Sequence, residues 1–152
     1  MSSRRYPEFP IPGVGGVVFG TKGVLLVRRD KEPGKGLWSI PGGGVEVGET
    51  QQEALVREVL EETGVRCNVL QFISTADIIF RDKNGDIEYH YILNHYLAEA
   101  LSSSIRPETP DAEVGWFALD QLPISDMPEA IIDIVNKASA IQNPMQKGIR
   151  ET

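Results

Sequence analysis

Three glutamates near the middle of the chain have the residue type and the spacing of a metal site. Glu58, Glu61 and Glu62 stand at positions i, i+3 and i+4. Residues at these spacings share one face of a helix. Three carboxylates on one face repel one another, and their oxygens are ligands that suit Mg²⁺ or Mn²⁺. The spacing therefore indicates a divalent-cation site, and the alternative is a solvated acidic helix face.

The segment that carries these glutamates has signals for both ends of a helix. Thr50 is a candidate N-cap, and Glu53 stands three residues later, which completes a capping-box pattern. Gly64 fits the position where a left-handed residue ends a helix. The pattern predicts a helix over residues 51–63.

A helical wheel of about 100° per residue separates charged residues from apolar ones. The glutamates surround Ala54, which is small enough to leave space for an ion. The opposite side is predicted to be apolar and holds Leu55, Val56, Val59 and Leu60. Glu62 borders that side, so we expect it to be partly buried, and burial of an unpartnered carboxylate is unfavourable.

Arg57 is the cation that lies among these acids. Its spacing allows a pair with Glu53 or Glu61 within the helix, or with Glu49 before the helix. The spacing alone leaves these three partners open.

From Gly43 to Val65 the chain resembles the sequence box of the Nudix hydrolase family, G-x5-E-x7-R-E-U-x-E-E-x-G-U, in which U is a bulky apolar residue. The resemblance covers this box and the Pro41-Gly42 pair before it. Every fixed position is matched, by Gly43, Glu49, Arg57, Glu58, Val59, Glu61, Glu62, Gly64 and Val65. So many matches argue against the solvated-face alternative.

The resemblance implies a metal-ligand set and a cofactor. Glu58 and Glu62 would be the principal ligands, and Glu61 would bind directly or through water. The backbone carbonyl of Gly42 would be a further ligand. The implied cofactor is Mg²⁺, for which Mn²⁺ can substitute.

The resemblance also implies a pairing and a fold. Glu49 would pair with Arg57 and fix the preceding loop against the helix. The chain would form a single α/β domain, an α/β/α sandwich with a mixed β-sheet. A chain of 152 residues with several strand-like segments and two helical ones fits that architecture.

Composition excludes some partners. The net charge of −7 argues against nucleic-acid polymers and anionic membranes, which bind basic patches, but not against small nucleotides. No signal-peptide pattern opens the chain, and its one cysteine, Cys67, fits a reducing cytoplasm. Cys67 is interpreted as a buried thiol and not as a nucleophile.

The chain divides into an N-terminal arm (1–12), the domain (13–142) and a C-terminal tail (143–152). The arm is expected to dock on the domain or on a second subunit, so a homodimer is possible. Strands are predicted at 13–19, 24–29, 37–40, 68–80, 87–98 and 113–118, and a second helix at 128–141.

Further residues are candidates for binding substrate. Arg28 and Arg29 close a strand beside the glycine run and are suited to a terminal phosphate; the alternative is a solvated strand end. Gly43 and Gly44 are expected to adopt positive φ or to permit a close approach to the backbone.

The loop before the last strand supplies candidates for the general base. It contains Glu108, Asp111 and Glu113. Many Nudix enzymes take an extra acid from this region, so Glu113 is the first candidate and Asp111 the second. Glu61 is an alternative base, and an acidic surface loop without a catalytic role is the other interpretation.

The resemblance implies hydrolysis of a pyrophosphate bond. A nucleoside diphosphate linked to another group, with ADP-ribose first, is favoured by overall likeness around residues 36–43 and 89–91. The alternatives are an (oxidised) nucleoside triphosphate pyrophosphohydrolase and a Nudix-fold nucleotide sensor without catalysis.

Overall fold

A mixed β-sheet with one helix on each face forms the molecule. The computed structural model describes the backbone of residues 4–151 and the side chains of residues 4–142. Its elements, in chain order, are β1 (Ile11–Gly20), β2 (Gly23–Arg28), β3 (Trp38–Ser39), β4 (Gly42–Gly44), α1 (Gln51–Thr63), β5 (Cys67–Arg81), β6 (Ile87–Ala100), β7 (Glu113–Phe117) and α2 (Glu129–Glu151). Two short 3₁₀ turns, Leu119–Gln121 and Ile124–Asp126, precede α2.

Strand β1 is the centre of the sheet. It runs parallel to β6 and antiparallel to β2 and β4, and the main strand order is β3-β2-β1-β6-β5 with β7 paired to β2. Alternate residues of a strand face opposite sides. Val14 and Val18 therefore pack in the core under α1, whereas Val17 and Phe19 pack in the core under α2. The predicted α/β/α sandwich is confirmed.

The bounds predicted for the first helix match the structure because the capping signals are local. Both hydrogen bonds of the Thr50–Glu53 capping box are present, and Gly64 adopts φ 77°. The second helix differs. The apolar spacing that ends at Ile141 marks only the part that packs on the sheet, and the helical backbone runs on to Glu151.

The described part of the N-terminal arm lies on the hairpin between β5 and β6. The Tyr6 backbone N–H donates to the Glu88 carbonyl at 2.7 Å, and the Tyr6 hydroxyl donates to Asp82 at 2.8 Å. Arg5 forms an ion pair with the Glu88 carboxylate at 2.6 Å. Residues 1–3 of the predicted arm, and the side chains of the predicted tail, lie outside the described residues.

No helix in the described part of the chain is both long enough and apolar enough to span a bilayer. The homodimer and the cytoplasmic location stay predictions.

Candidate active site

Strand β4 brings the backbone close to the acids of α1. A Cβ on Gly43 would stand 2.5 Å from the carboxyl carbon of Glu58, and a Cβ on Gly42 would overlap the carbonyl of Val14. None of the three glycines of β4 has positive φ. Of the two expectations for this run, close approach is therefore correct and positive φ is wrong. Glycine is needed here because a carboxylate and a neighbouring strand occupy the space of its side chain.

The wheel misplaced the buried side of α1. Ala54 is fully buried in the core, whereas Val56 and Leu60 are 37% and 43% exposed. The buried residues centre on the arc that also holds Glu58 and Glu62. The expectation that Glu62 is partly buried agrees with the structure, and Glu58 is also partly buried, with 15% of its side chain exposed.

Burial of these two carboxyl groups changes their proton affinity. Loss of hydration raises the pKa of Glu58, although the adjacent Arg57 opposes the rise. Loss of hydration, together with the charge of Glu58, raises the pKa of Glu62 to about 9. The two carboxyl groups are close enough for the charge of Glu58 to act on Glu62. A cation between them would satisfy the same demand for positive charge.

Arg57 uses all five of its N–H donors. Nε and Nη2 donate to the two oxygens of Glu49 at 2.6 and 2.9 Å, a bidentate pair. Nη2 also donates to the Gly44 carbonyl at 3.0 Å. Nη1 donates to Glu58 at 2.8 Å and to Glu61 at 3.2 Å. Of the three partners left open by spacing, the structure selects Glu49 and Glu61, and it links the loop, the glycine strand and the helix through one side chain.

Glu49 holds the loop before α1 in place. Its hydrogen bonds from Arg57, and one from the Glu46 backbone N–H at 3.0 Å, lower the pKa of Glu49 to about 2. Glu61 is different, because 48% of its side chain is exposed. It is the member of the acidic trio that water reaches most easily.

The three loop acids have different surroundings. Glu113 lies opposite Arg28 in the β2–β7 pairing and binds its Nη1 at 2.9 Å. Asp111 lines the cavity described below. Glu108 is the loop acid whose charge raises the pKa of Glu62, after burial and Glu58. In the sequence Glu108 is only one member of an acidic loop, because no local pattern indicates which loop charge acts on α1.

A cavity of about 490 Å³ opens beside this loop, and three of its lining side chains are positively charged. It is lined by Arg28, Arg29, Asp30, Lys35, Gly36 and Asp111. Arg29 donates from Nε to the Pro33 carbonyl at 2.6 Å, and its charge also acts on Glu62. Arg29 therefore links the cavity electrostatically to the acidic pair. Lys35 was not singled out in the sequence.

The donor set fits a hard divalent cation. Carboxylate oxygens are the ligands that Mg²⁺ prefers, and two of the three are withdrawn from water beside the glycine strand. Among residues 4–142, no group of three acidic, histidine or cysteine side chains already stands in ligand geometry. Glu58 and Glu61 each bond Arg57 instead, so a bound cation would compete with that guanidinium for them.

The chain is similar in sequence to known proteins. The family model described as NUDIX domain matches residues 10–137. An ADP-ribose pyrophosphatase of Methanocaldococcus jannaschii is 32% identical over 114 residues, which cover 75% of this chain and 65% of that protein. The oxidized purine nucleoside triphosphate hydrolase of Danio rerio is 33% identical over 106 residues, which cover 68% and 64%. The chain thus spans less than two thirds of either relative.

Solved structures share the fold. The MutT NUDIX hydrolase of Burkholderia pseudomallei superposes with a TM-score of 0.72 and 32% identity, over 86% of this chain and 98% of that one. The family model covers most of the chain, and it includes the glycine strand, the acidic helix and the paired Glu49 and Arg57. On these grounds the chain belongs to the Nudix family.

Proposed function

We propose that this protein is a pyrophosphohydrolase that cleaves the phosphoanhydride of a nucleoside diphosphate linked to a further group. The observation that carries the proposal is the pair of carboxyl groups of Glu58 and Glu62, which are both partly buried, with the Glu58 carboxylate against Gly43 and its charge acting on Glu62. Like charges in such a position need a cation or a proton between them. A protein that binds a divalent cation there has the positive charge that a diphosphate requires.

The residues present fit Mg²⁺ or Mn²⁺. Glu58 and Glu62 would hold the cation, with Glu61 and the carbonyl of Gly42 as further ligands. When bound, such a cation supplies positive charge for the diphosphate and lowers the pKa of water.

The reaction is attack of water on one phosphorus. The bond from that phosphorus to the bridging oxygen breaks, and a carboxylate accepts the proton of the water. Glu61 is a candidate base because it is half exposed, and Glu113, Asp111 and Glu108 are the candidates from the loop. General-base assistance contributes about 10²–10⁴-fold, so replacing each acid singly with its amide identifies the base.

Other residues would bind the substrate. Arg29 would contact a phosphate oxygen, since its charge already acts at the acidic pair. Arg28 would assist with the donors that Glu113 and the Gly36 carbonyl leave free. Gly43 and Gly44 would let the substrate lie against the backbone of β4.

The favoured substrate is ADP-ribose or a similar nucleotide sugar. Support comes from the relative from Methanocaldococcus jannaschii, which is an ADP-ribose pyrophosphatase. The relative from Danio rerio supports the alternative, an oxidised nucleoside triphosphate. The alternative of another class is a non-catalytic sensor. The Nudix domain of Shewanella oneidensis NrtR, crystallised with ADP ribose, shares this fold at 22% identity with a TM-score of 0.68.

One assay separates these possibilities. The protein is incubated with Mg²⁺ and a panel of ADP-ribose, nucleotide sugars and nucleoside triphosphates, and the products are identified by chromatography. We expect a nucleoside monophosphate plus a sugar phosphate. A nucleoside monophosphate plus pyrophosphate would select the triphosphate alternative. Binding without any product would select the sensor and reject the hydrolase.

A further inference from the structure

Arg4 comes from the N-terminal arm and lies against the glycine strand of the candidate site. Its guanidinium occupies the place where a Cβ on Gly44 would stand. Gly44 is buried under it, while Gly43, the neighbouring residue, admits the carboxylate of Glu58. Arg4 therefore lies against Gly44, and the next glycine along the strand, Gly43, lies against Glu58. The cation of the arm and the acidic pair are thus neighbours on β4.

The position of Arg4 also relates it to Arg29. Burial raises the pKa of the Tyr91 phenol, and the positive charges of Arg4 and Arg29 both oppose that rise. Arg29 acts in addition on Glu62. Two guanidinium groups therefore stand near one tyrosine, and one of them is already coupled to the acids.

The contacts of the arm fix where Arg4 lies. Arg5 is held by Glu88, and Tyr6 is held by Asp82 and by the Glu88 carbonyl. Tyr6 adopts φ 52°, a conformation that is unfavourable for a residue with a bulky side chain. Such backbone strain persists only where surrounding contacts impose it. These contacts position the arm but do not engage the Arg4 guanidinium itself.

The guanidinium N–H groups of Arg4 can donate hydrogen bonds to a ligand. The side chain is exposed, and within residues 4–142 no protein oxygen accepts a hydrogen bond from its guanidinium. A guanidinium presents a planar fork that matches two oxygens of a phosphate group. The acceptor that fits its position is an anion bound beside β4.

We propose that Arg4 is a further substrate-binding residue, which the arm delivers to bind a phosphate oxygen of the nucleoside diphosphate. The contacts of Arg5 and Tyr6 with the β5–β6 hairpin position it. This inference rests on the proposed function for the identity of the anion. If Arg4 binds the substrate, the arm contributes to the substrate specificity of the site.

The test compares Arg4→Ala with Arg66→Ala, which removes the same charge from an exposed side chain outside the site. Hydrolysis of ADP-ribose is measured in Mg²⁺, and binding of ADP-ribose is measured separately in EDTA by calorimetry. One charge-assisted hydrogen bond corresponds to about a tenfold change in affinity. We expect Arg4→Ala to raise KM and Kd about tenfold with kcat nearly unchanged, Arg4→Lys to lose less, and Arg66→Ala to change neither constant.

The outcomes distinguish this inference from the proposed function. If the wild type turns over ADP-ribose and Arg4→Ala leaves KM and Kd unchanged, the role of Arg4 is wrong while the hydrolase stands. If the wild type binds ADP-ribose without turnover, the hydrolase fails and the Kd of Arg4→Ala still decides the role of Arg4. If the wild type does not bind ADP-ribose at all, this inference is overturned. A fall in melting temperature with unchanged KM would indicate that Arg4 only covers Gly44.

A second variant tests positioning. Tyr6→Phe removes the hydrogen bond to Asp82 without a change of charge. We expect it to raise KM about threefold in the wild type, an estimate for one hydrogen bond to an exposed charged group, and to have no effect in the Arg4→Ala background. Equal effects in both backgrounds would show that the arm does not act through Arg4.

Discussion

Replacement of Arg57 by alanine is expected to reduce the stability of the protein strongly, because this side chain joins three segments. It removes two hydrogen bonds to Glu49, one to the Gly44 carbonyl and two to acids of α1. A hydrogen bond to a charged group contributes about 1.5–3 kcal/mol at most. Arg57 is 22% exposed, so solvent offsets part of each bond. Counting chiefly the part-buried bonds, we expect the free energy of unfolding to fall by about 3 kcal/mol.

The assay is urea unfolding at pH 7.5 without added metal, followed by circular dichroism. For a chain of this size about 1 kcal/mol corresponds to roughly 2–4 °C in melting temperature, so Arg57→Ala should melt about 6–12 °C lower. Arg57→Lys keeps the charge but loses the planar fork, and it should recover less than half of the loss. Arg66→Ala is the control for removal of one exposed arginine.

A double-mutant cycle with Glu49→Ala tests the pairing itself. Because Arg57 and Glu49 bond each other directly, the double variant should lose clearly less stability than the two single variants together. Additivity within about 0.5 kcal/mol would show that the two side chains are not coupled. Additivity, or a loss of less than about 0.5 kcal/mol in the free energy of unfolding of Arg57→Ala, would refute the reasoning.

Four further predictions concern single residues. Glu58→Gln and Glu62→Gln should each nearly abolish turnover while circular dichroism and the melting temperature show an intact fold; full activity in either variant would remove the metal-site assignment. Gly43→Ala should lower kcat, since its methyl would stand 2.5 Å from the Glu58 carboxyl carbon, and an unchanged kcat would contradict this. Burial raises the pKa of Cys67 to about 11, so iodoacetamide at pH 8 should label it only in denaturant; rapid labelling of the native protein would contradict its burial. Burial lowers the pKa of His95 below 6.5, so the unfolded chain binds more protons than the folded protein, and the free energy of unfolding falls as the pH drops below 6.5. In urea melts the His95→Gln variant should therefore lose less stability than the wild type between pH 7 and pH 5, and an equal loss would contradict this.

The first helix could be predicted from sequence because its signals are local. Thr50, Glu53 and Gly64 act on backbone groups within a few residues, so their effect does not depend on the rest of the fold. The paired strands were also foreseeable from their apolar segments. The sheet order was not, since it depends on contacts between distant segments.

The side of α1 that is buried could not be predicted from the helix alone. A wheel ranks positions by residue type, so it assigned Glu58 to a face away from the core and Glu62 to the border of the apolar side. In the structure, strand β4 is made of glycine and packs against α1 closely enough to bring the Glu58 carboxylate against Gly43. The signal was present in the glycine run, but its effect depends on a strand that stands beside the helix in space.

The positions of Arg4 and Glu108 relative to the site escaped prediction for the same reason. Nothing near Arg4 in sequence indicates that it covers Gly44, and nothing near Glu108 indicates that its charge reaches Glu62. A hydrogen bond of 2.6 Å from Thr109 to Asp30 ties that loop to the end of β2. Contacts of this kind join residues 79 positions apart and leave no periodic pattern.

The most direct measurement is anomalous diffraction from crystals soaked in Mn²⁺ together with a nonhydrolysable ADP-ribose analogue. We expect an anomalous peak at coordination distance from the carboxylates of Glu58 and Glu62, with the diphosphate beside it. Analogue bound elsewhere, and no ion next to these two carboxylates, would contradict both the metal site and the proposed hydrolysis.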